Sequence, residues 1–174
     1  MGFVRPADHR QASEAPLRAI ARDLGVPIPR RVAAELRRAM IVPVRGDILL
    51  PGATALLRTV KRLGLRSVLV SNTALRDAED YHEDFERHGV ADTIDAIVTS
   101  VDVGFRKPHP SMFIAALQAA RCDAARAVMI GNSERADVEP AIALGLRAIP
   151  DRSAAHAVAG SLKSAGDILG AWAS

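Results

Sequence analysis

Residues 67–73, SVLVSNT, and residues 127–132, AVMIGN, decide the architecture, because each is a short apolar run that ends abruptly in small polar residues. A strand with one face in water alternates apolar and polar side chains, whereas SVLV and AVMI do not, which is the pattern of strands covered on both faces. A third run, DAIVTS (95–100), and a shorter one, LRAI (146–149), complete the set. Helical segments separate them. PGATALLRTVKRLG (51–64) turns Leu56, Leu57, Val60 and Leu63 inward and stops at Gly64. A further helix is predicted from Leu75 to His88, closing at Gly89; its YHEDFERH portion reads as acidic and solvent-facing. PSMFIAALQAA carries Pro110 in its first turn, and DVEPAIALG carries Pro140 in its first turn, where proline is tolerated. Strand–helix alternation of this kind predicts an α/β fold, a parallel sheet sandwiched between helices in three layers.

The first 46 residues have a different texture. SEAPLRAIARDLGV (13–26) places Leu17, Ile20, Ala21 and Leu24 on one stripe, with Ser13 as N-cap and Gly25 as stop. A second helix, about Pro29 to Met40, sets Val32, Leu36 and Met40 on one face and Arg30, Arg31, Arg37 and Arg38 toward solvent. VRGDILL, between Pro43 and Pro51, reads as a linker. The expected division is a small helical unit over residues 1–46 and an α/β core over 47–174, with a last helix ending near Trp172.

Composition removes several classes of function. The chain has 174 residues, 49% hydrophobic and 25% charged, the balance of a folded domain. No apolar run approaches the roughly 18 residues that span a bilayer, and MGFVRPADHRQ lacks the apolar stretch of a secretory leader. With one cysteine, Cys122, there is neither an intrachain disulfide nor a multi-cysteine zinc site. The expected location is cytoplasmic. The formal net charge is only +3 and aromatics are 3%, so the basic stripe and stacking residues of a nucleic-acid binder are missing. Neither nucleic acid nor membrane is expected as a partner.

In open parallel sheets ligands bind at the carboxyl ends of the strands. Three clusters fall there. Ser71 and Asn72 offer a hydroxyl and backbone amides for an anion at the start of the next helix. FRKPHP presents Lys107 from a loop with proline on its far side. GNSERAD ends a strand in Asn132 and sets Asp137 five residues on, two oxygen donors for a hard cation such as Mg2+. Taken singly, each has a plainer explanation: Ser71, Asn72 and Asp137 as helix caps, Lys107 as a surface lysine, Asn132 and Ser133 as turn residues. His82 and His88 stand six apart and do not share a helix face; His109 reads as a capping or loop residue and Cys122 as inert.

The ordered set, strand-Ser-Asn, then Lys-Pro, then strand-Gly-Asn-Ser with a later Asp, resembles the haloacid dehalogenase-like superfamily of phosphatases and hydrolases. The resemblance runs from about Ile48 to Ile149. It implies that Ser71, with Asn72 beside it, binds the substrate phosphoryl or carboxylate group. It implies also that Lys107 neutralises charge around that group, and that Asn132 and Asp137 hold Mg2+. On the same resemblance the amino-terminal helices are a remnant of the family's helical cap.

Two departures stand out. Asn132 occupies a position where the family more often has Asp, so Mg2+ should bind more weakly. No Asp-x-Asp occurs in the 174 residues, although family members carry their nucleophile and general acid in such a motif on a first, central strand. Asp8, Asp47 and Asp102 stand in the wrong context. The expectation is a phosphatase-type, Mg-dependent hydrolase homologue with activity impaired or lost, acting if at all on a small phosphorylated or carboxylate substrate. A non-catalytic binding or regulatory protein is the alternative. Without the first strand, the strands ending in Ser71 and Gly131 would present facing edges, filled by MGFVRP, by AMIVPV, by a strand-donating partner or by a second copy, or else closed on each other.

Overall fold

The computed structural model describes residue 25 and residues 29–41 and 49–150. The predicted helix at 13–26, the segment MGFVRP, the boundary at residue 46 and the carboxyl-terminal helix lie outside the described residues, as do Asp8 and Asp47.

The described chain is a succession of strands and helices. It begins with α1 (Arg30–Met40) and α2 (Ala53–Arg62). Then come β1 (Val68–Ser71), α3 (Ala78–Arg87), β2 (Ala96–Thr99) and the single turn α4 (Ser100–Val103). The series closes with α5 (Pro110–Ala120), β3 (Val128–Gly131), α6 (Glu139–Ala143) and β4 (Arg147–Pro150). All four apolar runs form strands, and all pairings are parallel. β1 pairs with β2 in the register Val68↔Ala96 to Ser71↔Thr99, and β3 with β4 from Val128↔Arg147 to Gly131↔Pro150. Among the described residues no ladder joins β1 to β3. The two strands have not closed on each other.

What unites the two pairs is apolar packing. Met112 and Phe113, fully buried on α5, cluster with Val98 of β2 and Ala141 of α6, and Val68, Val70, Met129 and Ala148 pack against them. All four strands therefore reach one core. α5 lies across it because His109 and Pro110 start it cleanly: the His109 Nδ1 accepts the Ser111 N–H at 3.2 Å, and proline occupies the first turn, where no N–H is needed.

Three sequence expectations need correction. α3 starts at Ala78 rather than Leu75, because Asp77 and Asp80 form a reciprocal capping box: each side chain accepts the other's backbone N–H, at 3.1 and 2.9 Å. The helix is not wholly solvent-facing either. Phe85 and Asp84 are buried, the carboxylate paired with Arg76 and, at 2.6 Å, with Arg87. Burial of a charge is tolerable only with such partners, and a periodicity count cannot see them. On α1, Val32 is half-buried but Leu36 and Met40 of the expected apolar stripe are exposed, while Arg38 meets Glu79 of α3 at 3.0 Å.

Candidate active site

β1 delivers Ser71 at its carboxyl end. The chain then turns through Asn72 and Thr73, fixed by a buried exchange in which Ser100 Oγ accepts the Thr73 N–H and donates to the Thr73 carbonyl, both at 2.9 Å. Neither Ser71 nor Asn72 caps the next helix; Asp77 does. The Ser71 hydroxyl lies 2.9 Å from the Tyr81 hydroxyl of α3.

Asn72 engages both polar backbone groups of Lys107. Its Nδ2 donates to the Lys107 carbonyl at 2.9 Å and its Oδ1 accepts the Lys107 N–H at 2.7 Å. Thirty-five residues apart in sequence, the two loops are thus locked together by one amide. The Lys107 side chain, 11% exposed, projects inward between the strand pairs. Its ammonium donates to the Val70 carbonyl of β1 at 2.8 Å and lies 2.7 Å from Asp137 Oδ1 beyond β3. Phe105 and His109 stack across the same loop with ring centroids 4.0 Å apart.

Asp137 is not a helix cap. It sits in a π-helical turn, Glu134–Val138, that runs directly into α6, and the N-cap of that turn is Ser133, whose Oγ accepts the Ala136 N–H at 3.1 Å. The wider turn brings the Asp137 carboxylate back over the end of β3. Its Oδ2 accepts the Ser133 N–H at 3.0 Å. Its Oδ1 is buried and accepts no hydrogen bond among the described residues; the Lys107 ammonium is what it faces. Gly131 makes room for this. A Cβ there would lie 2.5 Å from Asp137 Cβ and 2.6 Å from Oδ2. In the sequence Gly131 marked only the end of a strand, and Tyr81 did not stand out. Tyr81, the chain's one tyrosine, signals only by standing ten residues after Ser71 on a helix that returns toward the same strand end.

The structure therefore draws Ser71, Asn72, Lys107 and Asp137 to the carboxyl ends of β1 and β3. Asn132 is exposed at the end of β3, and no described contact carries its side chain to Asp137. Asp102 points elsewhere: its Oδ2 accepts from Thr99 Oγ1 at 2.6 Å and from the Ala78 N–H at 3.0 Å. Asp137 suits a hard cation, since its buried Oδ1, ion-paired with Lys107 at 2.7 Å, keeps a further lone pair for a second positive partner. No three His, Cys, Asp or Glu side chains among the described residues gather into a metal-binding group. One buried carboxylate is nevertheless a sufficient protein anchor for Mg2+, which fills much of its octahedron with water and phosphate oxygens.

Parallel strands under helices, with an ammonium and a carboxylate meeting at their carboxyl ends, define an α/β protein with a buried charged pair at the end of its sheet. Residues 7–145 match the haloacid dehalogenase-like hydrolases, and the chain belongs to that family. It is 34% identical over 99 residues to a glyceraldehyde 3-phosphate phosphatase of Methanothermobacter thermautotrophicus, covering 57% of this chain and 42% of that protein. It is 35% identical over 115 residues to haloacid dehalogenase-like hydrolase domain-containing protein 3 of Bos taurus, covering 66% and 44%. The chain thus spans less than half the length of these curated relatives. A haloacid dehalogenase-type phosphatase from Thermococcus onnurineus shares the fold, with TM-score 0.59 over 88% of this chain and 70% of that one at 19% identity. Among the described residues no helix is long and apolar enough to cross a membrane.

Proposed function

We propose that the chain is a phosphatase-type member of its family that binds a phosphoryl group at the carboxyl ends of β1 and β3. The observation that carries this reading is the position of the Lys107 ammonium, bonded to β1 at Val70 and to Asp137 beyond β3. A cation held in a buried groove attracts an anion far more strongly than one in water. The name of the Methanothermobacter relative, a phosphatase, favours a phosphate ester over a halogenated acid.

Each residue then has a task. Ser71 Oγ donates its proton to a phosphoryl oxygen, and the Lys107 ammonium balances that oxygen's charge. The Asn72 side chain fixes the backbone from which Lys107 projects. Asp137, with the Asn132 carbonyl, would hold Mg2+, which when bound supplies further positive charge to the phosphoryl group. Asp137 is assigned to the cation rather than to attack, its carboxylate being turned toward the Ser133 N–H and the Lys107 ammonium. Asp-x-Asp does not occur in the 174 residues, and a site with no attacking carboxylate binds a phosphate ester but turns it over poorly.

Titration with inorganic phosphate in the presence of Mg2+, followed by calorimetry, tests both halves of this statement. Saturable binding, weakened at least ten-fold in Lys107→Met, is expected, together with little hydrolysis of an aryl phosphate. Robust hydrolysis unaffected by any carboxylate substitution would overturn the proposed chemistry. The edges of β1 and β3, which no ladder covers among the described residues, favour one second reading, a non-catalytic protein that uses the anion pocket or takes up a strand from a partner or a second copy. Light scattering and a thermal melt on the same samples test it: a strict monomer at high concentration counts against a second copy in the strand slot, and no phosphate-dependent stabilisation counts against the anion pocket.

A further inference from the structure

Ser71 is half-buried, and its hydroxyl has a described partner already, the Tyr81 hydroxyl at 2.9 Å. Either oxygen can be the donor in that pair. A hydroxyl owns a single proton and two lone pairs, so Ser71 cannot donate to Tyr81 and to a ligand at once. A phosphoryl dianion offers only acceptors. When it binds, Ser71 must turn its proton to the ligand, and only a Tyr81 that donates leaves the Ser71–Tyr81 bond intact.

The phenol is well held for this. Tyr81 stands in the first turns of α3, whose start is fixed by the Asp77–Asp80 capping box. Its ring stacks on Phe85, one turn further along the same face, with centroids 6.1 Å apart and Phe85 buried. Tyr81 therefore approaches Ser71 from a rigid helix rather than from a loop.

We propose that Tyr81 is a positioning residue for phosphoryl recognition: its hydroxyl donates to Ser71 Oγ and thereby commits the Ser71 proton to the bound group. The chain of donors runs from Tyr81 to Ser71 to the phosphoryl oxygen, and each bond polarises the next. No proton leaves its oxygen and no bond breaks. The proposal rests on the reading of Ser71 as a phosphoryl ligand, and the test separates the two.

Phosphate affinity is measured by calorimetry on the full chain for wild type, Tyr81→Phe, Ser71→Ala and the double variant. Phenylalanine keeps the ring against Phe85, and a thermal melt checks the fold. Tyr81→Phe is expected to weaken phosphate by about three- to ten-fold, the range of one neutral hydrogen bond, and to have no further effect once Ser71 is alanine. Equal losses in both backgrounds, or no loss in either, overturn the relay. A Ser71→Ala variant that binds like wild type, or a wild type that binds no phosphate, removes the reading of Ser71 itself and the relay with it. Because the chain holds one tyrosine, replacing it with 3-fluorotyrosine gives a second measurement. Its fluorine resonance should move on phosphate addition in the wild-type background and stay still in Ser71→Ala; movement in both rejects the proposal.

Discussion

Gly131 shows how one missing methyl group shapes the site. It ends β3 at the point where the Asp137 side chain folds back over the strand, and a Cβ would stand 2.5 Å from Asp137 Cβ. Asp137 cannot yield cheaply, being buried and tied to Ser133 and Lys107. Gly131→Ala should therefore destabilise by about 1–3 kcal/mol, as overpacking of a filled site does, and weaken phosphate binding along with it. Denaturant titration beside calorimetry checks this; an alanine variant that matches wild type in both would mean the carboxylate moves freely. Ser71, Lys107 and Asp137 were legible in the sequence because each follows an apolar strand at an interval that ends near the sheet's carboxyl edge. The part played by the Asn72 side chain was not legible: its amide holds the backbone of a loop 35 residues away, a partnership that no local pattern encodes.

The same division runs through the elements. Strands were readable because burial on both faces leaves an unbroken apolar run, and α5 because proline and a polar cap mark its start. The beginning of α3 was misplaced by three residues because Leu75 continues the apolar pattern, while the signal that decides is the Asp77–Asp80 box. The turn at Glu134–Val138 was hidden for another reason: Pro140 suits a helix start at Asp137, and a π-helical turn leaves no mark in residue spacing. The box itself makes a sharp prediction. Asp77→Ala should cost about 1 kcal/mol, read as a lower denaturant midpoint with unchanged slope; a shift below about 0.3 kcal/mol would show that α3 is held by its Asp84 ion pairs instead.

Across the whole molecule, two strand pairs share one core without sharing a ladder among the described residues. Phe113 stands in that core in one cluster with Val98 of the first pair and, from the helix that leads to β4, Ala141. Its truncation to alanine should cost about 3–5 kcal/mol and lower a single cooperative melting transition, measurable by calorimetry or circular dichroism. Two separated transitions would mean that the pairs unfold independently. The overall class of fold was evident from alternation alone, and the gap between the pairs was one of the two outcomes expected of a chain without the family's first strand; which outcome held depends on hydrogen bonds between distant residues. On the flank, the halves adhere through hydrocarbon; at the rim, Lys107 stitches Val70 to Asp137 by charge, sheltered from solvent. Cooling weakens the first kind of adhesion, and added salt scarcely reaches the second. In cold buffer the flank slackens before the rim, so the mouth of the groove is the last part of the seam to open.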